Sequence, residues 1–596
     1  MSAARRRRRS TLALLALLLA ALLGGCVSLP VSGPVQAGPS EEQPGEDTQP
    51  DYSPGGPKRG AGPVDIVRGF LQAMQATPLR TDVARQFLTS ESSATWAPEK
   101  GTVVYSSFTP AALDGDVRVD LSGVDRLDGR GAWLGDPTHG KGLHYRLDLV
   151  REKGQWRISD PPDELVIPRT HFESRFSPYV LYFFDKSAQV LVPEPVYLPQ
   201  GDQAPTLLVR GLLQGVDDAL LGTERTFIPA GTELDLSVPV SDDGTAEVPV
   251  TDDVLDLSED QLKLALTQFA ATLQQVPGIE RMRLTVDGSP VNLPGEGTDH
   301  PIDTWSEYAP SVNWASQELF AVRDERVVTL AQGEERHISG LFGSVDFDLR
   351  SIAVDLSAQW VAGVTHDGGE VLVARRTRST SEPPSPDTAQ VAYSGGVDVL
   401  KPAWDLYGQL WVLDRNDGDA ELTVVHPGGG SREVSAPGIT GHDVKAFVLS
   451  RDGTRLVADI AAKGGDRLTV ARVRRDHTGL VRAVGLAQPL PVGGFDVQEI
   501  RDLAWRTPDS VALLTGPSPG LSQVIVARID GSSALDDLAT DAELFRDDAA
   551  RIVTSPAPGA PLYVGTRGGL LFELSTNGRW TGSGFSGGLV SPTFVG

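Results

Sequence analysis

The most constraining feature of the sequence is a degenerate repeat in its C-terminal half. Five similar segments begin at residues 349, 399, 443, 499 and 550, so their starts lie 50, 44, 56 and 51 residues apart. Each contains a short apolar stretch, a polar turn, a second apolar stretch, a loop and a third strand-like stretch. This spacing is typical of the four-stranded blades of a propeller. A further unit from Ser311 gives five or six in all, and we predict an all-β propeller of about six blades over residues 311–596.

Residues 178–293 carry a different pattern, in which strand-like and helix-like stretches alternate. Residues 227–250 predict pairs of strands, and residues 258–276 predict an amphipathic helix with Ser258 as its N-cap. The segment resembles the GerMN domain of spore-germination and envelope proteins, an α/β interaction module to which no catalytic residues are attached. The matching residues are Leu181-Tyr182-Phe183, Leu191-Val192-Pro193, Leu212-Leu213-Gly215, Ile228-Pro229-Gly231-Thr232, Thr272-Leu273 and Val286-Asp287-Gly288. One loop position departs from the family, which often has proline where this chain has Val216.

Residues 63–170 predict a small α+β domain. Pro63 suits the first position of a helix whose apolar residues recur on one face. Strand-like stretches follow, including a hairpin with Gly154 in its turn. Two helices followed by a curved antiparallel sheet suggest an NTF2-like cone. Trp96, Trp133 and Trp156 either line a ligand pocket in this domain or belong to its core, and both alternatives stay open.

The N-terminus has the three parts of an export signal. Arg5 to Arg9 form a basic run, Thr11 to Leu23 are uncharged and mostly Leu and Ala, and small residues precede Cys26, the single cysteine of the chain. The apolar run has 13 residues, whereas a membrane-spanning helix needs about 20. Leu23-Gly24-Gly25-Cys26 resembles the bacterial lipobox. That resemblance implies cleavage between Gly25 and Cys26, a thioether-linked diacylglycerol on Cys26 and acylation of its new amino group.

The predicted signal peptide, residues 1–25, is followed by a segment rich in Pro, Gly, Ser and acids. Residues 26–62 have too few bulky apolar side chains to bury a core, so we predict that the acylated Cys26 is followed by a disordered tether. Two or three acyl chains hold a protein stably on a bilayer. We therefore expect a lipid-anchored protein on the extracytoplasmic face of the cell membrane.

The charge and the motifs argue against several classes of function. The net charge is −26, and without residues 1–25, which contain five arginines and no acid, 48 basic side chains face 79 acidic ones. This balance is unsuited to nucleic-acid binding. The nine histidines form neither His-x-His nor His-Glu-x-x-His, so no zinc site is predicted, and no cofactor is expected. Ser586 matches the Gly-x-Ser-x-Gly nucleophile elbow, but no histidine follows it in the chain.

The order of lipobox, acidic tether, GerMN-like stretch and propeller repeat resembles the actinobacterial LpqB-type lipoprotein family. The resemblance implies a non-catalytic accessory protein that acts beside a membrane sensor histidine kinase of the MtrB type, in cell-envelope homeostasis and division. One alternative is a module that binds cell-wall glycan or peptide through the propeller face or a pocket in the N-terminal domain. Exposed tryptophans at a common blade position would favour it and buried ones would argue against it, with Trp404, Trp411 and Trp505 as the residues to compare. A second alternative is a propeller-type hydrolase with paired acids at the channel mouth.

Overall fold

The computed structural model describes residues 52–113, 116–376, 389–492, 497–533, 540 and 542–596. These residues are mostly β-strand with few helices, and residues 52–596 form one compact unit. Cys26, the predicted signal peptide and residues 26–51 of the predicted tether lie outside the described residues. The predicted tether ends before residue 62, because Tyr52 forms a bridge with Thr77 and the Gly60 N–H donates to Gln155 Oε1 at 2.8 Å.

The N-terminal part packs short helices against two four-stranded sheets, ordered β5-β4-β1-β8 and β2-β3-β6-β7. Its helices are α1 (Pro63–Ala73), α2 (Asp82–Arg85), α3 (Ser90–Thr95) and α4 (Arg169–Arg175), with a 3₁₀ turn at Pro98–Lys100. Its strands are β1 (Gly101–Tyr105), β2 (Ser107–Ala112), β3 (Asp116–Ser122), β4 (Asp125–Asp128), β5 (Trp133–Gly135), β6 (Leu143–Glu152), β7 (Gln155–Ile158) and β8 (Leu165–Pro168). The predicted hairpin is confirmed, since β6 and β7 pair on either side of Lys153 and Gly154, both at positive φ.

Helix α1 begins at Pro63, as predicted, because proline has the φ of a helix and the first N–H of a helix has no partner to lose. Its inward face buries Ile66, Val67, Phe70 and Leu71, which join the core of this part of the chain. Burying side chains of this size contributes about 1.5–3 kcal/mol each.

The middle part consists of β9 to β15 with two helices. The elements are β9 (Phe176–Asp185), β10 (Leu191–Pro199), α5 (Ala204–Leu213), β11 (Glu224–Arg225), β12 (Thr245–Val250), α6 (Glu259–Leu273), β13 (Arg281–Val286), β14 (Ser289–Pro290) and β15 (His300–Pro301), with 3₁₀ turns at Asp252–Asp256 and Ser306–Tyr308. β9 pairs with β10 and β11, and β12 runs parallel to β13. Helix α6 packs against β9 and α5.

Two predictions for this part have opposite outcomes. Ser258 caps α6 as predicted, since its hydroxyl accepts from the Gln261 N–H while the Gln261 side chain accepts from the Ser258 N–H. The prediction of strand pairs is wrong over residues 227–244, which form only isolated bridges. Pro229 and Pro239 lack the N–H that a continuous ladder requires.

Within its described residues, the C-terminal part is all-β apart from one short helix, α7 (Leu341–Ser344). The strands are β16 (Leu319–Arg323), β17 (Arg326–Ala331), β18 (Glu334–His337), β19 (Leu349–Val354), β20 (Trp360–Thr365), β21 (Glu370–Arg375), β22 (Gln390–Ser394), β23 (Ala403–Trp404), β24 (Leu410–Asn416), β25 (Asp419–Val425), β26 (Ser431–Glu433), β27 (Val444–Leu449), β28 (Arg455–Ile460), β29 (Arg467–Arg475), β30 (Val481–Val484), β31 (Gln488–Pro489), β32 (Ile500–Thr507), β33 (Ser510–Ser518), β34 (Leu521–Arg528), β35 (Ala549–Val553), β36 (Tyr563–Thr566), β37 (Leu571–Leu574), β38 (Trp580–Gly582) and β39 (Val590–Thr593).

These strands form a ring of sheets, the arrangement of a β-propeller. Within the described residues the sheets are β39-β16-β17-β18, β19 to β22, β23 to β26, β27 to β30 with β31, β32 to β34, and β35 to β38. The innermost strands contact one another in a closed cycle, in the order β39, β19, β23, β27, β32, β35 and back to β39. The last strand of the chain completes the first sheet by pairing with β16, so the ring is closed by strands from both of its ends.

Candidate functional site

A buried cluster of charged side chains joins the middle part of the chain to the propeller. Glu194 lies on β10 and Glu224 on β11, while Arg455 and Arg472 lie on the neighbouring propeller strands β28 and β29. Glu224 and Arg455 are fully buried. None of the four side chains lines the three main cavities of the described residues. The cluster therefore connects two parts of the fold at a place away from these three cavities.

Glu194 is held by two guanidinium groups. One terminal nitrogen of Arg472 lies 2.8 Å from Glu194 Oε1 and 3.0 Å from Glu224 Oε1, and the other lies 2.9 Å from Glu194 Oε2. Arg455 also donates to Glu194 and to the carbonyl oxygen of Pro193, at 2.5 Å. Bidentate, charge-assisted hydrogen bonds of this kind are among the strongest in proteins, and here both cations come from the propeller.

The pKa values of the two carboxyl groups of the cluster shift in opposite directions. Burial raises the pKa of Glu194, but Arg472 and Arg455 outweigh it and lower the pKa to about 2. Burial and the neighbouring Glu194 raise the pKa of Glu224 well above its usual range. Glu194 is therefore the acid of the pair that holds the negative charge more firmly.

Further polar contacts extend this junction. The Tyr407 hydroxyl, on the β23–β24 turn, donates to Asp185 Oδ2 at 2.7 Å. Arg475 covers the Tyr407 ring, with 4.7 Å from its guanidinium carbon to the ring centroid, and pairs with Asp405 at 2.8 Å. Arg475 and Asp405 are both buried. The end of β9 is thus fixed to the sheet of β23 to β26, which Arg475 of β29 joins to the next sheet.

The three tryptophans considered for a pocket in the N-terminal part do not line one together. Trp96 is buried, stacks near Phe70 at 5.3 Å and donates to the carbonyl oxygen of Pro162 at 2.7 Å. Trp156 is half-buried under Arg151. Trp133 alone of the three lines a cavity, of about 260 Å³, which the N-terminal part shares with propeller residues such as Asp509. The core alternative holds for Trp96.

The tryptophans considered for glycan binding are all buried: Trp404 is 8 %, Trp411 0 % and Trp505 6 % exposed. Trp314 and Trp360 are the more exposed tryptophans of the described residues, but Trp360 begins β20 and Trp314 precedes β16, so they share no blade position. Burial of the tryptophans at the predicted positions therefore argues against glycan binding by the propeller face.

Ser586 does not sit in a nucleophile elbow. It lies in the loop before β39, where Arg323 donates to its hydroxyl at 2.9 Å and the hydroxyl contacts Glu335 at 3.2 Å. No helix follows it. In the described ranges, no three His, Cys, Asp or Glu side chains come together as a metal site, and no helix there has the length and apolar character to cross a membrane.

The sequence contains little that predicts the buried cluster of charged side chains. Glu194 and Arg472 are 278 residues apart, and each lies in an unremarkable strand pattern. A second set of residues does leave a signal, which sequence reasoning missed: Arg350, Lys401, Lys445, Arg501 and Arg551 recur near the start of five successive repeat segments. All five line one cavity in the structure.

Comparison with known protein families assigns all three parts of the chain. Residues 56–173 match the model described as the N-terminal domain of lipoprotein LpqB. Residues 325–581 match the lipoprotein LpqB beta-propeller domain. Residues 180–292 match the family model Germane, whose description is sporulation and spore germination. The predicted GerMN-like and propeller segments are confirmed at this level.

The chain is also similar along almost its whole length to individual lipoproteins. It is 27% identical to lipoprotein LpqB of Thermobifida fusca, over 94% of this chain and 95% of that protein. It is 27% identical to lipoprotein LpqB of Cutibacterium acnes, with the same coverage of 94% and 95%. Among solved structures, the first GerMN domain of the sporulation protein GerM from Bacillus subtilis is 21% identical, with a TM-score of 0.17 over 20% of this chain and 92% of that one.

Proposed function

This chain belongs to the family of LpqB lipoproteins, and from that membership we propose that it is a non-catalytic accessory protein of a membrane sensor histidine kinase of the MtrB type, acting in cell-envelope homeostasis and division. Membership of a lipoprotein family implies association with a membrane. The relatives are named as lipoproteins and not as enzymes. The observation that carries the proposal is the joining of propeller and middle part into one compact unit through a buried cluster of charged side chains.

The proposed anchor is Cys26, with diacylglycerol on its sulfur and an acyl group on its amino nitrogen after cleavage between Gly25 and Cys26. The basic run, the apolar run and the small residues before the thiol support it. The protein would then be held on the extracytoplasmic face of the cell membrane. A Cys26→Ser variant should lose fatty-acid labelling and membrane retention, while its thermal unfolding stays that of the wild type. Labelling that persists in this variant would contradict the anchor.

We further propose a layout in which a tether beginning at Cys26 carries an NTF2-like domain over residues 63–170, a GerMN-like domain over 178–293 and a propeller over 311–596. The two layers of sheet with helix α1 support the first assignment. The six sheets in the closed cycle support a propeller of six blades.

The anchor and the joined domains together explain how such a protein could serve a kinase. A tether raises the effective concentration of the folded part beside a membrane partner. A unit with few internal hinges loses little conformational entropy when it binds. The proposed contact is between the GerMN-like domain and propeller on one side and the extracellular region of the kinase on the other.

Binding to the purified extracellular domain of the kinase tests this proposal. The full-length protein is placed in nanodiscs and in detergent, and each preparation is titrated with that domain. We expect saturable binding in both, tighter in nanodiscs when the kinase domain is also anchored. The extracellular domain of an unrelated sensor kinase serves as the control and should not bind. Absence of binding in both preparations would refute the proposed partnership.

A further inference from the structure

The axis of the propeller holds a basic cavity in an otherwise acidic protein. This cavity, the channel, has a volume of about 390 Å³ and is lined by residues of the innermost strands and the segments beside them. Its charged lining consists of seven cations and two acids. They are Arg350, Lys401, Arg415, Lys445, Arg451, Arg501 and Arg551, with Asp398 and Asp502. The whole chain carries a net charge of −26, so this concentration of positive charge is local and runs against the overall balance.

Three of these cations are used to join neighbouring sheets. Arg350, Lys445 and Arg501 each occupy a bulge near the start of an innermost strand, at the same position of β19, β27 and β32. Each donates to a backbone carbonyl oxygen at or near the start of the next innermost strand. The acceptors are, in order, Val399, Ile500 and Ala549. These cations also have carboxylate partners. Arg415 pairs with Asp398 as well, so Arg350 and Arg415 share one carboxylate.

Three other cations have no such partner. Lys401 Nζ donates to Thr593 Oγ1 at 2.8 Å, and Arg551 donates to the carbonyl oxygen of Ala550 at 3.0 Å. Within the described residues, no carboxylate lies at ion-pair distance from either side chain. Both are exposed to the interior of the channel.

Arg451 is the third cation, and it is buried, at 6 % exposure. It donates to the carbonyl oxygen of Ser311 and to Ser555 Oγ, both at 3.0 Å. Its Nε has no hydrogen-bond partner in the part of the chain that the structure describes. Burial without a carboxylate partner lowers the pKa of Arg451 to about 10. A buried cation without a carboxylate partner lowers the free energy of unfolding by several kcal/mol. An anion that reaches Arg451 therefore stabilises the folded protein.

Asp502 is the acid that faces these cations. It accepts from the Ile552 N–H at 3.0 Å and interacts electrostatically with both Lys401 and Arg551. Desolvation inside the channel lowers the pKa of Lys401 to about 8, with Asp502 opposing and Arg551 adding to that shift. Lys401 and Arg551 exceed Asp502 by one positive charge, and Arg350 and Arg415, which share Asp398, exceed it by another, so this lining carries two positive charges in excess. That excess is the charge of one phosphate group near neutral pH.

We propose that the channel binds a phosphate group, held by Lys401 and Arg551 with Arg451 adding to the positive potential. The cavity volume falls in the range of small-molecule sites, so free phosphate and the phosphomonoester end of a small molecule both fit. Arginine and lysine favour phosphate because their N–H groups make charge-assisted hydrogen bonds to its oxygens. The proposal rests on the residues that line the channel and does not depend on the proposed kinase contact.

Calorimetric titration of the full-length protein in detergent tests the proposal, with inorganic phosphate and glycerol 1-phosphate as probes and sodium chloride at equal ionic strength as reference. We expect saturable binding of at least one phosphate probe at one site per chain. Tighter binding of glycerol 1-phosphate assigns the site to a phosphomonoester, and tighter binding of inorganic phosphate assigns it to the free ion.

The variants Lys401→Gln and Arg551→Gln should each weaken phosphate binding at least tenfold, and Lys401→Arg should retain it. Arg336→Gln, which changes an exposed propeller arginine paired with Glu334, is the matched control and should bind as the wild type does. Binding no stronger than that of chloride, or unchanged affinity in the double variant of Lys401 and Arg551, would overturn the proposal. Lys401→Arg is the control for misfolding, because this variant keeps the positive charge and must still bind phosphate when it is folded.

Discussion

Replacing Arg472 with methionine removes the guanidinium that joins both acids of the middle part to the propeller. Methionine keeps much of the length of the side chain, so the change is mainly electrostatic. Three charge-assisted hydrogen bonds are lost, two to Glu194 and one to Glu224. Arg455 remains in contact with Glu194, so one carboxylate keeps a single cation.

The size of the effect follows from these contacts. A hydrogen bond to a charged group contributes about 1.5–3 kcal/mol, so the three together amount to about 5–9 kcal/mol. Arg455 retains part of the compensation for Glu194, which reduces the loss. Breaking one side of a buried ion pair typically costs about 3–5 kcal/mol, and we expect the free energy of unfolding to fall by that amount.

Urea unfolding followed by tryptophan fluorescence measures this loss, and scanning calorimetry shows whether the propeller and middle part still unfold together. We expect the wild type to unfold in a transition that includes both parts and Arg472→Met to separate them. Arg467→Met is the matched control, because Arg467 is exposed on the same strand. If Arg472→Met lowers the free energy of unfolding by less than about 1 kcal/mol, the cluster does not join the two parts as argued.

Three further predictions concern single side chains. The pKa of Glu194 is lowered to about 2, so the contribution of its ionised form to stability is complete above about pH 5 and is lost as the pH falls toward 2. The Glu194→Gln variant should therefore lack this loss of stability between pH 5 and pH 2 in acid unfolding. Burial and Asp466 raise the pKa of Asp459 to about 7, and neither Asp459 oxygen has a hydrogen-bond partner among the described residues. Asp459→Asn should therefore stabilise the protein by up to about 4 kcal/mol above pH 7 and leave it unchanged below pH 4, as read from urea midpoints. Ser258→Ala should cost about 1 kcal/mol by removing the cap of α6, and a loss below about 0.3 kcal/mol would contradict the role of the cap.

Sequence reasoning succeeds where a structure depends on neighbouring residues. Ser258 and Gln261 are three residues apart, and their reciprocal hydrogen bonds need nothing outside the helix start. Gly154 allows the tight turn between β6 and β7 for the same reason. The repeat segments also predict strands and turns correctly, since alternation and spacing are local properties.

Sequence reasoning fails where the structure depends on distant contacts. Residues 227–244 have a strand-like composition, yet prolines interrupt the hydrogen-bond ladder and the segment packs in an irregular form. The partners of Arg472 lie on the other side of a domain boundary in the sequence. Trp404 and Trp505 match each other in the repeat, but only the three-dimensional packing shows that both are core residues.

The same distinction between local patterns and distant contacts applies to the candidate sites. The cations that line the channel can be identified from the sequence, because a basic residue recurs near the start of successive repeat segments. Their roles were not visible, since Lys445 donates to a carbonyl of the next innermost strand whereas Lys401 lacks a carboxylate partner in the described residues. The distinction depends on which carboxylates the fold brings near each cation, and no spacing in the sequence encodes that.

Photocrosslinking in native membranes tests the central claim most directly. The anchored protein carries a photoreactive residue on an exposed position of the propeller or of the GerMN-like domain, such as Leu236, which is 75 % exposed. The account predicts a crosslinked product that contains the extracellular region of the sensor kinase and that disappears in Cys26→Ser. Crosslinked products that contain wall fragments or unrelated proteins, with no kinase among them at any tested position, would contradict it.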